Sequence, residues 1–213
     1  MIGAGLYFLA GIVNLTSAFL FKDKVRIASK ICLMPTLLLA YLLGSAPTNL
    51  LVVAAIVFSW VGDALLVKKD KRIFFMTGLA AFLIAHLWYI AAFMSLARGL
   101  NLAGLIVSGV IAIPLGLVIL RLVDAKAPMK IPVTAYAVVI ILMSLAALQL
   151  LLMRPGPAAT AVFVGALVYI VSDSLMAYLL FHRQPKYFNV ITMVPYIVAQ
   201  GCIVLGLAAG PWS

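Results

Sequence analysis

The sequence contains no glutamate. Its acidic residues are five aspartates, and charged side chains of either sign make up 9% of the chain against 67% hydrophobic ones. A soluble domain of 213 residues has too little interior to hide that much apolar surface, which excludes a water-soluble fold. Cysteine is equally scarce. Cys32 and Cys202 lie far apart in apolar runs, which excludes a disulfide framework and leaves them to be read as small buried hydrophobes. The chain has two histidines. No His/Cys/Asp cluster has metal-ligand spacing, so neither a metal nor another cofactor is expected. Nothing resembles a linker, and a single transmembrane helical domain over residues 1–213 is expected. The fifteen Lys and Arg raise the formal charge to +10. They fall in short runs between apolar segments, a topology pattern that needs no nucleic-acid partner. The first apolar stretch has no basic n-region or cleavage site, so it is expected to stay as a helix and not to be removed as a signal peptide.

What fills the chain instead is a series of apolar runs. A membrane-spanning helix needs about 20 apolar residues. Eight segments qualify: 2–21, 27–44, 49–67, 73–97, 101–121, 131–153, 157–181 and 187–209. Their apolar residues are continuous and do not alternate, which excludes barrel strands. Connections are short, with Ser45-Ala46-Pro47-Thr48 after the second segment and Arg154-Pro155-Gly156-Pro157 after the sixth. The expected fold is an all-α polytopic membrane protein with eight transmembrane helices. Alternate connections carry Lys22, Lys24, Arg26 and Lys30; Lys68, Lys69, Lys71 and Arg72; Arg121, Lys126 and Lys130; and Arg183 with Lys186. The intervening ones hold only Arg98 and Arg154. The positive-inside rule then puts both termini on the outer, non-cytoplasmic face. Short loops without a sorting motif suit a bacterial inner membrane.

Two of the spans contain an aspartate. Asp63 stands in Phe58-Ser59-Trp60-Val61-Gly62-Asp63-Ala64, and Asp173 in Tyr169-Ile170-Val171-Ser172-Asp173-Ser174. A charged group at membrane depth costs about 2.5–3.5 kcal/mol on insertion scales and is a functional candidate by default. Asp63 falls about a turn and a half before Lys68, and Asp173 about two and a half turns before His182. Both therefore lie in the cytoplasmic half, where one cavity can hold them. A shift of 110 positions lays Asp63 on Asp173, Leu65 on Leu175 and His86 on Tyr196, which suggests a 4+4 parallel repeat. The bland reading is a pair of structural aspartates bonded to neighbouring helices, with Ser59 and Gly62 serving close packing. Matched depth favours function. Two carboxylates close together in apolar surroundings cannot both ionise cheaply, so one protonated and one ionised member is the expected state.

Other polar positions gather around this pair. Lys30, about one turn inside the second segment, reads either as a lysine snorkelling to the interface or as a partner for a phosphate headgroup or an aspartate. In the fourth segment Phe75, Gly78, Phe82, Ala85, His86 and Tyr89 share one helical face. His86 lies near mid-membrane, either as interhelical glue or as a helper aimed at the acids. The eighth segment shows Asn189, Thr192, Tyr196 and Gln200 on one stripe. Tyr7 and Asn14 add to it from the first segment, and Tyr169 with Ser172 from the seventh. Each alone reads as glue; together they suggest the lining of a polar cavity.

These pieces also carry a resemblance. Phe58-Ser59-x-x-Gly62-Asp63-x-x-Leu66, Phe75-x-x-Gly78-x-x-x-Phe82-x-x-Ala85-His86-x-x-Tyr89, Ser172-Asp173-x-x-x-Ala177 and Tyr196-x-x-Ala199-Gln200 resemble the YhhN-like lysoplasmalogenase family of eight-helix membrane enzymes. The chain departs from the family pattern after Lys30, where Ile31 replaces a proline. The resemblance implies hydrolysis of the vinyl-ether bond of lysoplasmalogens, with a lysophospholipid substrate taken from membrane lipid. Paired carboxylates suit that reaction, since a vinyl ether is cleaved by proton delivery to an alkene carbon and capture of the resulting cation by water. Asp63 and Asp173 then share the acid and base roles, with His86 and Tyr89 orienting water or substrate. Oligomeric state, headgroup preference and the identity of the proton donor stay open.

Two rivals differ in class. An intramembrane aspartyl protease also uses two aspartates, but its Gly-x-Gly-Asp signature requires glycine where Trp60 stands, and no Pro-Ala-Leu motif occurs. A proton-coupled small-molecule transporter could relay protons through the same aspartates. Against it, neither aspartate-bearing segment has the Gly/Pro-interrupted break typical of transporter sites.

Overall fold

Eight α-helices build the computed structural model of the protein, which describes residues 2–44, 48–68, 71–125 and 129–212. They are α1 (Ile2–Phe19), α2 (Asp23–Gly44), α3 (Leu50–Leu66), α4 (Arg72–Ala97), α5 (Leu102–Val123), α6 (Lys130–Met153), α7 (Pro157–Phe181) and α8 (Phe188–Ala209). No strand occurs among the described residues. The expected connection Ser45-Ala46-Pro47, and Lys69 and Lys126 of the basic runs, lie outside the described residues.

Each helix falls within a few residues of an apolar run. The largest departure is the start of α2, at Asp23 and not at 27. A carboxylate in the first turn complements the free N–H groups there, and Asp23 also pairs with Arg26 at 2.9 Å. The longer helix places Lys30 about two turns inside α2, deeper than the single turn expected. Among the described residues seven helices are long and apolar enough to cross a membrane. The eighth, α3, is apolar but has 17 residues. At about 1.5 Å per residue it is about 25 Å long, short of the roughly 30 Å hydrocarbon core. The expected eight helices are thus present among the described residues, seven of them of spanning length and the eighth a shorter apolar helix.

Helix ends are fixed by local hydrogen bonds. Asn49 caps α3 by accepting from the Leu51 N–H at 2.9 Å, and Asn101 caps α5 by accepting from the Gly104 N–H at 2.8 Å. Such side chains satisfy N–H groups that have no partner inside the helix. The Asn101 backbone is itself clasped by Gln149 of α6, whose carbonyl accepts at 2.9 Å and whose amide donates at 3.3 Å.

Helices adjacent in sequence pack as neighbours in α1–α2, α2–α3, α3–α4, α5–α6, α6–α7 and α7–α8. Packing of α4 on α6, and of α8 on α1 and α2, joins these into a bundle. The core holds Tyr7, Leu33, Leu37, Ile56, Phe93, Met143 and Leu150, all fully buried. By contrast α5 packs on α6 and α7 and leaves Ile106, Val110, Ile113 and Leu117 largely exposed along one stripe. That face suits lipid and not water. Cys32 is exposed and Cys202 half-buried, which corrects their reading as buried hydrophobes.

Two devices bring α3 close to its neighbours. Gly62 lies against Phe82 of α4, and a Cβ at position 62 would meet the Phe82 ring at 2.6 Å. On the other side, Pro35 inside α2 has no N–H and leaves the Ile31 carbonyl without its helical donor. The Trp60 indole N–H fills that vacancy, donating to the Ile31 oxygen at 2.9 Å. One residue earlier is Lys30, and three residues after Trp60 is Asp63.

Gly62→Ala should therefore destabilise the protein by about 1–3 kcal/mol through overpacking, read as a lower unfolding midpoint of the purified protein in detergent. Gly5→Ala, where an added Cβ meets nothing within 4 Å, should show no loss.

Candidate active site

Asp63 is 1% exposed, and both of its oxygens are engaged. The Lys30 Nζ lies 3.3 Å from Oδ1, and the Tyr196 hydroxyl donates to Oδ2 at 2.6 Å. A lone carboxylate so far from water would be prohibitively costly; a cation and a hydroxyl donor together compensate its charge. Three helices build this cluster, with α2 supplying the cation, α3 the anion and α8 the hydroxyl.

Asp173 sits differently. It is half-buried on α7, and its Oδ2 accepts a hydrogen bond from the Tyr136 hydroxyl of α6. Among the described residues the ion pairs are Arg26–Asp23 and Lys30–Asp63. Asp173 is thus held by a neutral donor where Asp63 is held by a charged one.

Both carboxylates line one cavity of about 310 Å³. Asn14, Arg26, Lys30, Gln184, Lys186 and Asn189 give it a polar, basic end. Phe75, Leu79, Phe82, Met176 and Met193 form apolar walls, and Tyr136, Ser172 and Tyr196 stand beside the acids. Lys186 is not locked in an ion pair; its Nζ lies over the Phe21 and Tyr187 rings, 5.5 and 5.4 Å from their centres. Such a cation stays available to an anionic ligand.

Behind the cavity is a second polar group that does not open into it. The Gln200 Oε1 accepts from the Tyr89 hydroxyl at 2.9 Å, and its Nε2 donates to the Ser59 hydroxyl at 3.2 Å and to the Tyr169 hydroxyl at 3.0 Å. One amide therefore ties α3, α4, α7 and α8 together. Tyr7 donates to the Ile197 carbonyl at 2.7 Å. The Tyr169 ring then meets the Tyr196 ring edge-on, 5.8 Å between centres, so the network buttresses the hydroxyl that binds Asp63.

Of the residues singled out in the sequence, Asp63, Asp173, Lys30, Ser172, Asn189 and Tyr196 line the cavity together, as do Asn14 and Thr192. Ser59, Tyr89, Tyr169, Gln200 and Tyr7 do not line it. Each spends its polar atoms on a neighbouring helix, so Tyr7, Tyr169 and Gln200 stand behind the lining expected of them. His86 is also one step removed. Its Nδ1 lies 2.5 Å from the Phe82 carbonyl, an acceptor that requires the proton on that nitrogen, and Nε2 is buried with no hydrogen-bond partner. The imidazole packs edge-on against Tyr136 and Tyr169, with ring centres 5.3 and 4.8 Å away. It therefore touches the tyrosine that binds Asp173, and reaches the acid only through it.

Sequence reasoning missed Tyr136. Its signal was present, because it is the one tyrosine in α6, and a buried phenol needs a partner for its hydroxyl. Arg26 and Lys186 were counted only as topology markers, since a loop cation carries no sequence sign of facing a cavity.

A family model described as the YhhN family matches residues 25–207, which includes every acid, base and hydroxyl of the two carboxylate clusters. No curated protein and no solved structure matches the chain.

Lys30→Met should strip Asp63 of its cation and leave a buried charge unpaired, a loss of about 3–5 kcal/mol. Adding Asp63→Asn to Lys30→Met should recover much of it. Unfolding midpoints of the single and double variants in detergent check this; equal midpoints would show that the pair is not coupled.

Proposed function

The chain belongs to the YhhN family, and on that premise we propose that it is a membrane hydrolase that cleaves the vinyl-ether bond of lysoplasmalogens. The products are a fatty aldehyde and a glycerophospho-headgroup. The observation that carries this reading is the unequal pair of carboxylates on one cavity, one ion-paired and one bound by a neutral hydroxyl.

The two environments divide the work. Asp63, beside Lys30, keeps its negative charge. Asp173, with no cation against it, is the member that holds a proton. Asp173 delivers that proton to the alkene carbon remote from the ether oxygen, and the electron pair of the double bond forms the new C–H bond. The carbon attached to oxygen becomes an oxocarbenium centre, flanked by the carboxylate just formed and by Asp63. Water adds to that carbon as the Asp173 carboxylate takes a proton from it, giving a hemiacetal. The hemiacetal then loses its glycerol C–O bond: the hydroxyl proton leaves, the aldehyde forms, and the glycerol oxygen takes up a proton. One water is consumed, and Asp173 is protonated again for the next turnover. Tyr136 and Tyr196 hold the two carboxylates in place through their hydroxyls.

The basic end of the cavity supports a phosphate-bearing substrate. Arg26, Lys30 and Lys186 converge there, and Lys30 has three N–H donors, more than Asp63 alone requires. On the same reading the basic helix ends face the cytoplasm, both termini face outwards, and the cavity opens towards the cytoplasmic leaflet of a bacterial inner membrane.

Purified protein in detergent should release aldehyde from a choline or ethanolamine lysoplasmalogen and none from the saturated alkyl-ether analogue, which has no alkene carbon to protonate. Asp173→Asn should lose at least about 10²-fold in turnover, the usual scale of a general acid, with its fold retained by circular dichroism. Asp63→Asn should be similarly impaired. Substantial turnover by folded Asp173→Asn would sink the assignment of the proton donor.

A further inference from the structure

Asp173 borders more than the polar cavity. On its other side lies a small void of about 40 Å³, and Asp173 and Tyr136 line both spaces. The void in turn shares Ile119 and Val123 of α5, and Ile170 and Ser174 of α7, with an open apolar groove of about 580 Å³ between those helices. The groove is otherwise lined by leucine, valine and one tyrosine, Tyr178. The three spaces are therefore successive neighbours, parted only by shared side chains, in the order polar cavity, Asp173 and Tyr136, void, and groove between α5 and α7.

Polarity changes at Asp173. Three cations stand on one side of it and aliphatic side chains on the other. A larger apolar groove of about 990 Å³, lined by Met153–Ala159, residues of α8, and Pro211 and Trp212 beyond it, shares no lining residue with the polar cavity or the void. Size alone would favour that larger groove; adjacency to the void that Asp173 lines selects the one between α5 and α7.

We propose that the groove between α5 and α7 is the lateral portal for the hydrocarbon chain of the substrate, which enters from the bilayer with its headgroup in the basic cavity and its head-to-chain junction at Asp173. This rests on the hydrolase reading and deepens it, because the vinyl ether lies at that junction. The void has room for water-sized groups only, so Ile119, Val123 and Ile170 form a constriction that an entering chain must part. Among the helices, α5 is suited to yield, since its packing among the described residues is chiefly on α6 and α7 and most of its described surface faces outwards.

The portal can be tested without relying on turnover. A non-cleavable alkyl lysophosphocholine carrying a diazirine in its chain is photolysed with the full-length protein in vesicles, and the adducts are mapped by mass spectrometry. Adducts on residues 119–123 and 170–174, removed by excess unlabelled lysophosphocholine, are expected. Adducts confined to residues 154–159 and 202–212, or insensitive to competitor, would overturn the portal.

Ser174→Trp and Leu122→Trp obstruct the groove from either side; Leu122 is 59% exposed, so the second variant leaves the core untouched. In both, the ratio of hexadecenyl to butenyl lysoplasmalogen turnover should fall at least about tenfold, the scale of a misfit in an apolar pocket. An unchanged ratio in both would also overturn the portal. Failure of the parent to release aldehyde from either substrate would refute the hydrolase reading alone, and the adduct map would still decide the route of the chain.

Discussion

A carboxylate placed in the interior of a helical bundle has to be neutralised within the bundle, and the Lys30–Asp63 ion pair does this. Much of the surrounding structure holds that pair at contact distance. Pro35 exposes a carbonyl on α2, Trp60 binds it from α3, and the two charged residues are each one turn or less from that contact. Gly62 lets α4 close over the opposite side of α3. Tyr196 occupies the remaining carboxylate oxygen, and Gln200, a turn further along α8, fixes the approach of α8 to α3, α4 and α7. A buried pair of this kind adds little net stability over apolar residues of similar volume, but losing one partner leaves the other's charge uncompensated.

That pairing leaves the second carboxylate free to differ. Asp173 shares the cavity with Asp63, but its partner is a phenol on another helix, and it is more open to the cavity. Two identical side chains thus stand in unlike surroundings, one against a cation and the other against a neutral hydroxyl; under the proposed function this is what would let one keep a charge and the other a proton. His86 contributes by bracing Tyr136 and Tyr169 through ring edges and not by reaching the acids itself.

The fold was legible because a span is a local property. Roughly twenty apolar residues in a row define a helix whatever lies next to it, and the described helices fall within a few residues of those runs. The aspartates were legible for the same reason, as charges in places where charge is costly. Pairings were not. Whether Lys30 snorkels or binds Asp63 depends on how α2 rotates against α3, which no local pattern states. Gln200 and Tyr169 had the composition of cavity lining but were consumed by each other, because hydrogen-bond partners on other helices are invisible along the chain. Tyr136 was overlooked among aliphatic neighbours, although its hydroxyl needed a partner.

The link between Pro35 and Trp60 carries a consequence for how this chain can vary. Trp60 alone would find the Ile31 oxygen already taken by a backbone N–H, and Pro35 alone would leave that oxygen without a donor from the protein, which is costly wherever that face meets lipid. Neither residue is fully useful without the other, although they sit on different helices and neither touches a carboxylate. Relatives that lose one should have lost both. Covariation at positions 35 and 60 is the trace this arrangement would leave in a lineage of sequences.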